Sequence, residues 1–162
     1  MRHNLVVAVL GNRNSGKSHT WNTVFGAVVR TGSQMRRLYL TTTQYVEVFL
    51  VSGSPEERDR YVGDIVGNNV PRIVLCSMQY RQDVAQTIQY FVQHDYFLFM
   101  HWLNPGFSDS QQAPDSLGLI PMILAERSLL GLRDGRANAD DRVREMRDFI
   151  FGWASSRGLV QT

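Results

Sequence analysis

At 162 residues the chain has the size of one ordinary domain, and with 43% hydrophobic and 20% charged residues it has the composition of a globular protein, not a disordered tail. No apolar run reaches the roughly 18 residues of a membrane span, and the polar start passes straight into LVVAVL, too short for a secretory leader, so a cytoplasmic protein without a membrane partner is expected. A net charge of +2, from 17 basic and 15 acidic residues, does not indicate nucleic acid.

The chain reads as one domain over residues 1–162, without repeats or a linker. Short continuous apolar runs at 5–10 (LVVAVL), 72–77 (RIVLCS) and 96–102 (YFLFMHW) suit strands buried on both faces. RLYLT at 37–41 and VEVFLV at 46–51, separated by a short polar stretch, predict an antiparallel hairpin. Ser54-Pro55-Glu56-Glu57 has the form of a capping box and predicts a helix to about Val66. Val84, Ile88, Phe91 and Val92 share one helical face, and a weaker sixth strand is expected in SLLGLRDG. From about Asp140, Val143, Met146, Ile150 and Trp153 recur at helical spacing, with Arg142, Arg144, Arg147 and Asp148 expected to turn outward. Strands alternating with helices give an α/β fold: a mostly parallel, doubly wound sheet with one antiparallel hairpin and helices on both faces. Any ligand should sit at the C-terminal strand ends. Cys76 lies among apolar neighbours, which predicts a buried thiol.

Sixteen of the 17 basic residues are arginine; the one lysine is Lys17. It falls in Gly11-Asn12-Arg13-Asn14-Ser15-Gly16-Lys17-Ser18, a complete G-x-x-x-x-G-K-[ST] sequence directly after the first strand and before a helix. Gly11 and Gly16 let the backbone curl so that successive N–H groups face phosphate oxygens, and the helix N-terminus adds its positive dipole end. Lys17 supplies a compact charge for the β and γ phosphates, Ser18 a hydroxyl for Mg²⁺, and His19 adjoins the loop. ATP or GTP is therefore the expected ligand, and the motif does not choose between them.

On these residues the sequence resembles the P-loop NTPases. VVAVLGNRNSGKSHTWNTVFG, 6–26, is similar to the opening strand, loop and helix of the small-GTPase-like, translation-factor-like branch, including Asn22 and Phe25-Gly26 at the helix end. The resemblance implies a nucleoside triphosphatase fold over most of the chain. It also locates the departures. Where that branch has Asp-x-x-Gly, with an aspartate that helps to hold magnesium, this chain has Ser52-Gly53-Ser54-Pro55; where it has Asn-Lys-x-Asp to read guanine, only Asn104 remains, in Asn104-Pro105-Gly106.

Ser52 is then a weak metal candidate acting through water, and Glu56, on the first turn of the next helix, a candidate to position water. Glu57 shares that turn, where capping also accounts for both acids. Glu47 lies about 13 Å from the phosphate end of its strand and reads as a solvated hairpin charge. Arg30, Thr31, Arg36 and Arg37 enter the region of a switch loop, where Thr31 could meet the γ phosphate or magnesium, an arginine could stabilise transferred charge, and a protein partner could dock. His94 and His101 lack the spacing of a metal pair; Tyr96, Trp102 and Phe107 read as core or rim; 109–115 reads as a surface loop. Three functions stay open: a slow Mg²⁺-dependent triphosphatase working as a switch, a nucleotide-binding regulatory module without hydrolysis, and a small-molecule or nucleotide kinase with Arg133 and Arg136 as lid residues.

Overall fold

The computed structural model describes residues 2–107 and 115–162. Six strands form one mixed sheet: β1 (Asn4–Gly11), β2 (Arg36–Tyr39), β3 (Tyr45–Val51), β4 (Ile73–Gln79), β5 (Tyr96–Leu103) and β6 (Ser128–Arg133). Their order across the sheet is β2-β3-β4-β1-β5-β6, all parallel except the β2–β3 hairpin. Five helices are described: α1 (Lys17–Phe25), α2 (Val62–Val66), α3 (Val84–Gln93), α4 (Leu119–Leu124) and α5 (Asp140–Ser155).

The unbroken apolar run of β1 follows from its central place. Val6, Ala8 and Leu10 pack on one face with Val84, Ile88 and Phe91 of α3, while Leu5, Val7 and Val9 pack on the other with Trp21 of α1 and Met146 and Ile150 of α5. All six are fully buried. Trp21 also donates from Nε1 to Ser77 Oγ of β4 at 2.8 Å, so the helix that follows the glycine-rich loop is fixed to the sheet by a buried hydrogen bond as well as by apolar area. Cys76 is buried as expected, and that burial pushes its thiol pKa up.

Chain order decides where a ligand can lie. From β1 the chain runs out to the β2–β3 edge and returns to β4, then crosses over β1 to reach β5. The course reverses between β1 and β4. In open sheets of this kind, the crevice outside the C-terminal strand ends at such a reversal is where ligands bind.

Two expectations need correction. The run from Ser54 does not form one helix to Val66. Ser54 Oγ accepts the Glu57 N–H at 3.2 Å, as a cap does, but the turn ends at Asp59, which has φ 47, and only Val62–Val66 is helical. The carboxylate of Glu56 is drawn instead to β4 and α3. Nor is Arg142 turned outward: it is 3% exposed and held by Thr20 of α1. Arg147 likewise reaches the carbonyls of Val24 and Tyr39, whereas Arg144 and Asp148 are exposed. Of the predicted loop 109–115, residues 109–114 lie outside the described residues.

Candidate functional site

Between β1 and α1 the chain makes a tight wrap. Asn14 has φ 63 and Gly16 φ 104, two left-handed residues in one short loop, which is what curls the backbone around its own amides. Gly16 is required sterically as well, since a Cβ there would lie 2.6 Å from the Gly135 carbonyl oxygen. At Gly11 a Cβ would collide with the Ser15 hydroxyl. Ser15 therefore folds over Gly11; it is 2% exposed, and its Oγ has no hydrogen-bond partner.

Lys17 is the first residue of α1. Its Nζ donates to the carbonyls of Asn12 at 2.8 Å and Gly11 at 3.2 Å, and the carboxylate of Glu57 stands 4.0 Å away. Burial lowers the Lys17 pKa, while Glu57 and Glu56 act to raise it. The ammonium is thus folded onto the loop with only 7% exposure, and an incoming anion would meet a partly desolvated charge, which attracts more strongly than a hydrated one.

Behind the loop lies a support that the sequence reading missed. Asn104, just past β5 at φ 85, donates from Nδ2 to the Ser15 carbonyl at 3.3 Å and accepts the Gly135 N–H at 2.7 Å. Gly135 is packed so closely that a Cβ would strike the Ser15 carbonyl. Arg142 completes the brace. Its guanidinium donates to Thr20 Oγ1 at 3.1 Å and to the carbonyls of Asp134 and Ala137 at 3.2 and 3.4 Å, and burial lowers its pKa, with Asp134 opposing. The turn between β6 and α5 is thereby tied to the loop and to α1.

In front of the loop is a cavity of ≈ 740 Å³. One wall is the loop and first helical turn, residues 13–19; the other is formed by Ser52 and Glu57 after β3 and by Gln79 and Arg81 at the end of β4. Gln79 stands in register with Gly11, and the N–H of Tyr80 donates to the Gly11 carbonyl at 3.0 Å. The Gln79 side-chain oxygen is buried and has no hydrogen-bond partner. Two residues of the cavity wall, Ser15 and Gln79, thus carry orphaned polar atoms, an arrangement that costs stability unless something else meets them.

Placement of the other expected residues is mixed. Arg13, Asn14, Ser18 and His19 line the cavity with Ser15, Gly16 and Lys17, while Gly11 and Asn12 lie beneath, their carbonyls holding Lys17. Ser52 lines the cavity from the far wall. Its strand is not beside β1, however: Val51 pairs with Cys76 and Cys76 with Ala8, so two strand spacings, about 10 Å, separate them laterally. Thr31 sits behind Ser52, its Oγ1 accepting the N–H groups of Ser52 at 2.8 Å and Gly53 at 3.3 Å. It is not among the residues that line the cavity.

Glu56 does not face the loop. Its carboxylate accepts the Gln79 N–H at 2.7 Å and the Thr87 hydroxyl at 2.6 Å, and burial raises its pKa against those two bonds. It is Glu57 that the fold presents to the cavity, because the turn ends before both acids can serve as helix caps. Asn104 is buried, braces the loop, and is not among the residues that line the cavity. Arg36 and Arg37 lie against the rings of Phe25 and Tyr45, Arg133 is paired with Glu145, and none of these, nor Arg30 or Arg136, lines the cavity. Glu47 is exposed opposite Arg37, as expected.

No protein-family model matches the chain, and no curated protein or solved structure matches it either.

Proposed function

We propose that the chain is a P-loop nucleoside-triphosphate-binding protein, a slow Mg²⁺-dependent ATPase or GTPase that serves as a switch or regulatory component. The observation that carries this reading is the wrapped loop itself: a strand, two left-handed residues, a buried lysine and a helix N-terminus, in the crevice between β1 and β4. The orphaned Ser15 hydroxyl on the same cavity supports it, since a phosphate oxygen is an acceptor that would satisfy that donor.

The donor set fits Mg²⁺ held mainly by phosphate and water. Ser18 is exposed on the first turn of α1, Ser52 faces it across the cavity, and among the described residues no group of three His, Cys, Asp or Glu side chains could hold a metal by itself. Bound there, the ion would neutralise phosphate charge. Thr31 serves it indirectly, by fixing the backbone of Ser52.

Hydrolysis requires water to attack the terminal phosphorus while the bond to the bridging oxygen breaks and charge leaves on the diphosphate. Lys17 and the loop amides hold the phosphates in line. Glu57, the acid that lines the cavity, accepts the water's proton in this reading. That carboxylate already faces Lys17, and β4, the strand beside β1, ends at Gln79 without an acid, so turnover should be slow, on the order of 10⁻⁴ to 10⁻² s⁻¹ without a partner. The switch role rests on residues 27–35, which reach the end of β3 through Thr31 and expose Val28 and Met35 to a protein partner.

A second reading, nucleotide binding without hydrolysis, is favoured by Ser52 at the strand end and by the commitment of Glu57 to Lys17. Phosphate release from ATP and from GTP under multiple turnover, with Lys17→Ala as control, separates the two. Slow, Lys17-dependent release supports the triphosphatase; tight binding with no release supports the second reading; neither binding nor release overturns both.

A further inference from the structure

Among the described residues, Arg81 is the one cation of the cavity that does not come from the glycine-rich loop or the first turn of α1. It stands just past β4, where the sequence pattern gave no reason to single it out, and it lines the wall opposite Lys17 together with Ser52, Glu57 and Gln79. Its guanidinium leans on two carboxylates outside that wall, Asp83 at 3.3 Å and Asp59 at 3.8 Å, both of which line a neighbouring cavity of ≈ 320 Å³.

We propose that Arg81 reads the terminal phosphate, so that the site distinguishes a nucleoside triphosphate from a diphosphate. This rests on the phosphate-binding reading of the loop. The loop wall holds the phosphates from one side, the helix N-terminus and the curled amides facing the inner ones and Lys17 reaching as far as one side of the terminal phosphate. The opposite wall meets whatever that side leaves uncovered, and among the described residues its charged members are Glu57 and Arg81. Glu57 repels phosphate and is answered by Lys17, so Arg81 is left as that wall's attractive charge.

The present partners of Arg81 can be given up. Its side chain is 43% exposed and that of Asp59 87%, and ion pairs this open to water hold little free energy. A phosphate oxygen partly screened from water by the cavity walls is the stronger acceptor, and the planar guanidinium can address two of its oxygens at once. Gln79, two residues earlier, adds an amide oxygen without a partner on the same wall, a place for phosphate-bound water. The adjacent Glu56 bond to the Gln79 N–H fixes the strand end from which both side chains project.

The test compares ATP with ADP, and GTP with GDP, by calorimetry in Mg²⁺ on the wild type, Arg81→Ala, Arg81→Lys and Lys17→Ala. Arg81→Ala should weaken the triphosphate about tenfold, the loss of one charge-assisted contact, and the diphosphate less than about twofold; Arg81→Lys should recover part of the difference. An unchanged ratio of triphosphate to diphosphate affinity in Arg81→Ala, with wild-type binding intact and dependent on Lys17, overturns the role of Arg81 and leaves the loop reading standing. Absence of nucleotide binding in the wild type overturns the loop reading, and this inference with it. Arg81 is exposed, so thermal melts of its variants should match the wild type; a loss of affinity for both nucleotides accompanied by a lowered melt would identify a structural role and refute the proposal.

Discussion

Replacing Asn104 with glycine isolates what the brace behind the loop contributes. Asn104 sits at φ 85, which glycine adopts freely, so the backbone is not strained by the change. What disappears is the bond to the Gly135 N–H at 2.7 Å and the bond to the Ser15 carbonyl at 3.3 Å. Each is worth about 1 kcal/mol net, and a buried Gly135 N–H left unpaired adds about 1–2 more. Glycine's freer unfolded state adds about 0.5–1. The loss should therefore total about 3–5 kcal/mol. Asn104→Ala should cost about 1 kcal/mol more through strain at positive φ, less the freedom glycine gains on unfolding. Asn104→Asp keeps the acceptor for Gly135 but sets a carboxylate against the Ser15 carbonyl. Urea unfolding at neutral pH gives the free energies, and triphosphate affinity reports whether the loop has lost its shape. An Asn104→Gly variant within about 0.5 kcal/mol of the wild type would refute the reasoning, because no buried pair of hydrogen bonds could then be holding the loop.

Further outcomes follow from other groups around the site. Gly135→Ala should weaken triphosphate binding at least about tenfold, since the added methyl meets the Ser15 carbonyl and must push the loop forward; calorimetry at matched temperature checks it. Glu56→Gln keeps an acceptor for the Gln79 N–H and removes a buried charge, so stability and turnover should both stay near wild type, whereas Glu56→Ala orphans that N–H and the Thr87 hydroxyl and should cost about 2–3 kcal/mol in urea. A collapse of turnover in Glu56→Gln would show that this carboxylate acts on the ligand. His101 is 1% exposed, and burial, aided by Arg133 and opposed by Glu145, lowers its pKa to about 4. The unfolded chain binds its proton first, so this stability is complete above about pH 6.5 and is lost as pH falls toward 4, on the order of 3 kcal/mol in all. His101→Leu should flatten the stability profile across that window, and an unchanged slope would contradict the assignment.

The parts of the fold that are local in sequence could be read from it. LVVAVL, RIVLCS and YFLFMHW became buried parallel strands because each run is short and apolar throughout, and the glycine-rich loop was legible because its steric needs fall within eight consecutive residues. The turn after β3 was misread for a physical reason: the capping pattern at Ser54 is real, but Glu56 gains more from the Gln79 N–H and Thr87 than from a helix end. Arg142 looked solvated among its arginine neighbours, and only the approach of Thr20 and the 134–137 turn shows why it is buried. Gln79 and Arg81 gave no signal, because their relevance depends on β4 lying beside β1, and strand order is set by packing across the whole sheet. Asn104 did draw notice in the sequence, but as a base-reading residue; the structure gives both ends of its amide to the loop's own support.

The central claim is that the loop around Lys17 binds the phosphates of a nucleoside triphosphate. Titration of the wild type and of Lys17→Ala with ATP and with GTP in Mg²⁺, followed by calorimetry, tests it most directly. At least one triphosphate should bind the wild type, and Lys17→Ala should bind it at least about tenfold more weakly while unfolding at a similar temperature, because the loop loses its only ammonium but keeps its backbone. Equal affinity in the two proteins, or no heat of binding with either nucleotide in the wild type, would contradict the account.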